Sequence, residues 1–447
     1  MAPGDTARLY HRITSASPPS PDDPRVLAGF TPNVRATFPA HCKAYPPGLP
    51  VVALPRAWPP ATRLDLARLA RLLHLSAGVV RLAERRDGRR YFRAAGSAGG
   101  RFPYELYVAA RDVDGLPDGV HWFDPLEHAL VQVGPPPAGE ATTLVLTGIP
   151  WRTGWRYAER GFRHLYWDAG AILANTLAVG EDAALAPRLR AVFPDAAVTR
   201  LVGADGVHEF PLAIVTLGEG APAIGPGGPA APGQVDRLPP VEFPLVTAAQ
   251  RAGDTEELGP PWPAGPRTPA GVDEVILRRI STRVLDPRAA VRRDVFEASL
   301  AAALRGSRVE HFVAVHAVDG LEPGLYRHGA LVRRGDLRAE LFALGWDQEL
   351  PRDASFVVIS AADLERLDDR GYREAQLDAG LVSGRLHLEA FARGLGATGM
   401  TFVDERIPAV LGEPLAGLLL TCVGAPTYRH RPGGPPGAPT RMRPLAA

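Results

Sequence analysis

Two stretches of the chain alternate apolar and polar residues and turn through glycine in the same way. ELYVAARDVDGLPDGVHWF (105–123) and EHFVAVHAVDGLEPGLYRH (310–328) align without a gap at an offset of 205 residues. A period of two predicts a half-buried strand, a Gly-containing loop and a second strand, hence one hairpin in each. Short apolar runs that suit buried strands follow, TTLVLTGI at 142–149 and SFVVISAA at 355–362. Then come patterns of helical period opened by Asp-Ala-Gly, within FRHLYWDAGA (162–171) and YREAQLDAGL (372–381), at an offset of 210. Each unit closes on an apolar strand, PLAIVTLG from 211 and PLAGLLLTCVG from 414, and a helix precedes each hairpin, at 62–75 and 292–304. The shared order is helix, hairpin, helix, strand, long helix, strand. That order predicts an α+β domain with an antiparallel-rich sheet, present twice.

Composition sets the boundaries of these units. Glycine and proline concentrate at 218–240 and 258–271, with VEFPLVTAAQ between them as a short packed segment. The expected organisation is an N-terminal extension (1–49), a first domain (50–218), a linker (219–271), a second domain (272–426) and a C-terminal tail (427–447).

Charge and chemistry-bearing residues narrow the function. A formal net charge of +1 gives no reason to expect a nucleic-acid partner. Lys43, in HCKAYPPG, is the only lysine among 50 basic residues, and it sits in neither a Walker-type phosphate loop nor a Schiff-base context. The two cysteines, Cys42 and Cys422, form no close-spaced pair, so no zinc knuckle or disulfide framework is readable and no metal is expected. Cys422 lies in an apolar run and is expected to be a buried, inert thiol. No apolar run of about 18 residues exists, and MAPGDTARLY lacks an apolar signal core. The expectation is a cytoplasmic protein with no membrane partner.

Several segments in order carry a family resemblance: LLHLSAGVVR (72–81), GSAGGRFPYELYV (96–108), GFRHLYWDAG (161–170), RRISTR (278–283) and GLGATGMTFVDE (394–405). In these, spanning roughly 60–430, the chain resembles the flavin-dependent nitroreductase superfamily and specifically its SagB-type azoline dehydrogenase branch. The resemblance implies a tandem nitroreductase-like fold, with a family dimer fused into an intrachain pseudo-dimer. It implies FMN as cofactor, and oxidation of azoline rings to azoles in a ribosomally made peptide, with oxygen as the simplest reoxidant. A cyclodehydratase is the partner it suggests, with the chain a monomer or a dimer of chains.

The family builds each flavin site from both protomers, and here the pieces are unevenly shared. The second half has Arg279, Ser281 and Arg283, where the first has only AWPPATRLD; the first has Ser97, Ala98, Gly99 and Gly100, where the second has only RGSRVE. Gly96 replaces an expected proline. One complete site, and one FMN per chain, is therefore expected. The arginines and Ser281 suit a phosphate, with Arg429 and Arg431 as additions, and the same turn could equally be a solvated basic helix start. The small residues at 97–100 would let backbone approach a flat ring, or simply form a tight turn. By resemblance, Thr398, Gly399 and Met400 lie near the flavin edge, and the same stretch also reads as a helix C-terminus running into a strand. A Lys-Tyr pair of SagB-type enzymes falls on Arg156 and Tyr157. Guanidinium cannot act as a base, so the expectation moves to Tyr157, with His164 as a weaker candidate. Arg163 and Asp168 recur as Arg373 and Asp378, in the half without a complete site, and are expected to serve the fold as an ion pair or helix cap. Two alternatives stay open: a small-molecule flavin reductase, and a degenerate peptide-binding scaffold.

Overall fold

A computed structural model describes residues 2–15, 31–59, 63–85, 88–263 and 271–442. Sixteen strands form three sheets among these residues. The first sheet contains β1 (Val51–Ala53), β4 (Tyr104–Ala110), β5 (Gly119–Asp124), β6 (Ala129–Gly134), β7 (Thr143–Gly148), β8 (Pro187–Arg190) and β9 (Phe210–Leu217), in the order β1-β6-β5-β4-β7-β9-β8. The second contains β10 (Glu310–Val315), β11 (Gly324–Arg327), β12 (Ala330–Arg334), β13 (Phe356–Ala362), β14 (Gly396–Met400) and β15 (Ala416–Gly424), in the order β12-β11-β10-β13-β15-β14. Apart from β1, the two orders are the same, and every pairing in both is antiparallel. The duplicated α+β reading holds.

Each sheet packs beneath a long helix, Gly161–Asp182 in the first half and Asp369–Ala392 in the second. Both helices are buried along most of their length, and they cross at their glycines. A Cβ built on Gly170 would stand 2.2 Å from the carbonyl carbon of Gly380, and one on Gly380 would stand 2.6 Å from the Cα of Trp167. Glycine is required at that crossing because backbone meets backbone. Arginines then tie each helix to the opposite half. Arg163 donates to Asp404 (2.5 Å) and Arg373 to Asp195 (3.0 Å). The two halves thus share one continuous contact, as a dimer fused into one chain would.

Several expectations change in detail. Asp-Ala-Gly does not open the long helices but lies within them, because helix geometry starts at Gly161 and Asp369. The helix expected between hairpin and strand exists in the second half (Arg338–Leu344 and Glu349–Asp353) but not in the first, where the proline-rich 135–142 connects β6 to β7 as a loop. Arg163 pairs with Asp404, not with Asp168. The helix expected at 62–75 runs from Leu66 to Ala77, capped by Asp65, whose carboxylate accepts from Arg68 N–H at 2.8 Å; Thr62 lies outside the described residues.

The described parts of the segments read as extension, linker and tail pack on the body. Lys43 Nζ is buried and donates to Glu209 (2.5 Å) and Tyr107 (2.9 Å), while its N–H donates to Glu105. This fastens the extension to the back of the first sheet. Between the two Gly/Pro-rich stretches, Pro244–Ala252 is helical, as the packed segment expected there; 264–270 lies outside the described residues. The C-terminal segment is not a free tail: β16 (Thr440–Met442) pairs in parallel with β2 (Val79–Arg85), which pairs with β3 (Gly88–Arg93). Its last residues, 443–447, lie outside the described residues. Cys422 is buried and its thiol pKa pushed up, as an inert core thiol should be. Among the described residues no helix is long and apolar enough to cross a membrane.

Candidate functional site

A cavity of about 280 Å³ lies between the halves. The first half lines it with Gly96–Gly99, Arg156, Tyr157, His164, Trp167 and Asp168, and the second with Ser281, Arg283, Ser383, His387 and Thr398–Thr401. The glycine loop is fixed by the long helix beneath it. Asp168 accepts from Ser97 Oγ (2.5 Å) and from Ala98 N–H (2.9 Å), and Ser97 Oγ in turn accepts from Phe102 N–H (2.7 Å). Gly99 has φ +58°, and a Cβ there would stand 2.9 Å from the Tyr157 hydroxyl and 2.8 Å from Arg156 Cδ. Only glycine lets the loop lie this close to that pair. Burial of Asp168 pushes its carboxyl pKa up to about 7, against the hydrogen bonds from Ser97 and Ala98.

Behind the loop sit two cations without an anion. Arg279 is buried, and its Nε and Nη2 donate to the Ala94 carbonyl (3.2 and 2.8 Å). Arg81 is buried beside it and donates to the carbonyls of Arg279 and Leu277. Neither has a carboxylate partner among the described residues. Burial lowers both pKa values to about 10, and Arg81 adds repulsion at Arg279. Arg279 Nη1 stands 3.1 Å, and Ser281 Oγ 4.0 Å, from where a Cβ on Gly96 would be, so the arginine fork and the hydroxyl converge on the glycine loop. An uncompensated buried charge costs several kcal/mol. An anionic group bound here would offset that cost.

Tyr157 and His164 stack face to face, with centroids 4.0 Å apart at 11°. His164 Nδ1 donates to the Arg160 carbonyl (3.1 Å), and burial with Arg160 nearby lowers its pKa to about 3. The ring is therefore neutral. Burial raises the Tyr157 pKa despite Arg156 beside it, the opposite of what phenolate formation requires. The hydroxyl is accordingly a donor near neutral pH. His387, held by the Ser383 carbonyl at 2.8 Å, is likewise neutral, lowered to about 4 by burial and then Arg279.

Of the residues expected at the site, the cavity brings together Ser97, Ala98, Gly99, Arg156, Tyr157, His164, Ser281, Arg283, Thr398, Gly399 and Met400. Arg279 stands behind the wall. Gly100 faces an outer groove instead. Arg429 lines a separate cavity with Arg278 and Tyr428, and Arg431 offers only its carbonyl, to Arg81. These last two do not join the site, because the chain after Tyr428 turns toward β2. Sequence reading missed Arg81, Trp167, Ser383 and His387. Ser383 and His387 stand four residues apart on one face of the second long helix, a spacing visible in SGRLHLE.

The pseudo-symmetric position is built on the same plan. Asp378 accepts from Ser307 Oγ (2.9 Å) and Arg308 N–H (2.6 Å), as Asp168 does from Ser97 and Ala98. Between that serine and the following strand, however, the loop is five residues shorter, since Ser97 precedes Glu105 by eight positions and Ser307 precedes Glu310 by three. Glu374 and Leu367 stand where the 210-residue offset puts His164 and Tyr157. Linker residues pack beside it. Trp262 N–H donates to Leu189 of β8 (2.6 Å), Arg308 lies 4.3 Å over the Trp262 ring, and Pro263 packs on Gly306. β8 is the counterpart of β14, which carries Thr398–Met400 in the open cavity.

No family model matches the chain. It is 25% identical over 170 residues to a protein of Methanocaldococcus jannaschii named as a nitroreductase, a match covering 35% of this chain and 81% of that one. A solved structure from Anabaena variabilis, also named as a nitroreductase, superposes with a TM-score of 0.75 at 23% identity, covering 94% of this chain and 99% of that one. A protein from Exiguobacterium sibiricum solved in complex with FMN gives a TM-score of 0.29 at 16% identity, covering 37% of this chain and 93% of that one. With the strand order repeated in both halves and a superposition along nearly its whole length, this chain has the nitroreductase-like fold, in tandem.

Proposed function

We propose that the protein is an FMN-dependent oxidoreductase with one flavin site per chain. The observation that carries the reading is the pair of buried, anion-less arginines, Arg81 and Arg279, behind a glycine loop that also meets Ser281 and Arg283. A phosphate dianion is the kind of group such a donor set fits, since guanidinium forks and a hydroxyl give both charge and directed hydrogen bonds. The bare backbone at Gly96–Gly99 and Gly399 leaves room for a flat ring at the cavity floor. Bound there, FMN would supply two-electron chemistry by accepting hydride from a substrate carbon.

The finer reading is dehydrogenation of an azoline ring in a peptide. Loss of hydride there must be matched by loss of a proton from the neighbouring carbon, so the cavity needs a proton acceptor. Among its lining groups burial holds His164 and His387 neutral, Tyr157 is pushed the other way, and the guanidinium of Arg156 or Arg283 cannot act as a base. Asp168, at about 7, is the group poised to take a proton. Tyr157 then orients the substrate through its hydroxyl, and Arg156 does so through its exposed guanidinium. A second reading, reduction of a small nitro compound, is favoured by the names of the similar proteins.

Reconstitution tests the coarse proposal: protein refolded or purified with excess FMN should retain one flavin through gel filtration. A colourless protein would refute it. Flavin-loaded protein given azoline peptide should show a mass loss of about two daltons per ring, that of two hydrogens. Turnover of a nitroaromatic with NAD(P)H, and none of azoline peptide, would select the second reading.

A further inference from the structure

A second, shallower groove of about 380 Å³ opens beside the cavity and shares Gly99 with it. Its lining is strongly basic: Arg35, Arg85, Arg90 and Arg101, with Tyr91, Phe92 and Gly100. Arg156 stands exposed on the cavity side of Gly99 and continues the row. Arg35, Arg85, Arg101 and Arg156 pair with no carboxylate among the described residues, and Glu84 on the same hairpin is turned to Arg89 (3.5 Å). Arg101 is held in place rather than free. Its Nε donates to the Gly99 carbonyl (3.1 Å), and its guanidinium lies over the rings of Phe38 (4.5 Å) and Trp155 (5.0 Å). Its charged neighbours are Arg156 and Arg90, so like charges crowd along the path into the cavity.

We infer that this groove binds an acidic segment of a peptide substrate, carboxylates on the arginine row, while the reacting part reaches the cavity past Gly99. The inference rests on the redox reading of the cavity. It adds the recognition chemistry that reading lacks. Arginine forks match carboxylates two bonds at a time, and like charges crowded along one groove raise the local concentration of an anionic ligand. The arrangement favours an extended polyacid over a single phosphate. Phosphate needs donors converging on one point, as Arg279, Ser281 and Gly96 do. Here the cations come from separate segments (residue 35, the β2–β3 hairpin, and residue 101) and are strung along an open groove.

The test uses the FMN-loaded protein and a fluorescein-labelled oligoglutamate peptide followed by anisotropy, with a glycine-serine peptide of equal length as control. Oligoglutamate should bind, the control should not, and binding should weaken steeply with salt. The double variant Arg85→Glu with Arg90→Glu should weaken it by roughly tenfold or more, since each reversal replaces an attraction with a repulsion. Flavin content, measured on the same samples, reports folding and the redox site separately. Loss of flavin binding with oligoglutamate binding intact would count against the cavity's assignment and not against the groove. Equal binding of both peptides, or indifference to the charge reversals, would overturn the inference. So would displacement by NADPH or inorganic phosphate in preference to glutamate, which would make the groove a nucleotide or phosphate site.

Discussion

Arg81 and Arg279 are buried charges with no carboxylate partner among the described residues, and that has two consequences of opposite sign. Arg279→Gln keeps a donor for the Ala94 carbonyl and removes the charge. In flavin-free protein the variant should melt higher, because an uncompensated buried cation is gone. It should also bind FMN at least about tenfold more weakly, since a charge-assisted hydrogen bond contributes about 1.5–3 kcal/mol. Calorimetry with and without FMN checks both, and a variant that melts lower in the absence of flavin would show that Arg279 is a structural residue only. Asp168 invites a second test at this scale. Its carboxyl pKa is raised to about 7, so as a base it works only when deprotonated, and azoline oxidation per bound flavin should rise with pH through about 7 and then level. Asp168→Asn should lose that rising limb and about 10²–10⁴ of the rate, while still accepting from Ala98 N–H. Tyr157→Phe, which removes a neutral hydrogen bond, should cost about tenfold and keep the limb. The reverse ranking would return the base to Tyr157. The arginines and glycines of this site were legible in RRISTR and GSAGG because their chemistry is local in sequence. Arg81 was not, since its importance comes from lying beside Arg279, 198 residues away.

At the scale of elements, the repeated Asp-Ala-Gly is explained by two separate tasks that one helix turn performs. The aspartate reaches out to clamp a serine-containing loop, Ser97 in one half and Ser307 in the other. The glycine, two positions on, faces the opposite long helix and lets backbones touch. Gly170→Val would drive a branched side chain into the Gly380 backbone, so the helices must separate or the fold must fail. Overpacking costs about 1–3 kcal/mol where side chains can give way, and here backbone must move, so the cost should lie at or above that range. Urea denaturation checks the stability. Flavin content should fall in the same variant, because both helices line the cavity. A stable Gly170→Val with full flavin would mean that the helices do not touch backbone to backbone at this crossing. The hairpins, core strands and both long helices could be read from apolar period alone. The edge strands β8 and β16 could not, since short strands with one neighbour bury too few residues to leave a period. The start of the first long helix was missed for a related reason: the residues before Asp168 are buried on all sides, so no polar face marks them.

For the whole molecule, duplication leaves a question of stoichiometry, and the linker bears on it. The halves are alike enough that two flavin sites would follow from symmetry alone, yet among the described residues only one cavity has the glycine loop and the pair of Arg81 and Arg279 behind it. In the other position the loop is five residues shorter, and Trp262 packs against β8 under Arg308. The wild type should therefore hold one FMN per chain, read from the flavin-to-protein ratio after gel filtration. Trp262→Ala separates two explanations for the missing second flavin. If the tryptophan were merely an occupant of a competent site, its removal would let a second flavin in and the ratio would approach two. If the site itself has decayed, as the missing arginine clamp and shortened loop indicate, the ratio should stay at one. The variant should then only lose stability, by about 3–5 kcal/mol for a buried tryptophan cut to alanine. The second outcome is the one expected, because the Arg279, Ser281 and Arg283 motif has no sequence counterpart in this position. A ratio of two, in either protein, would show that the arginine pair is not what holds the cofactor.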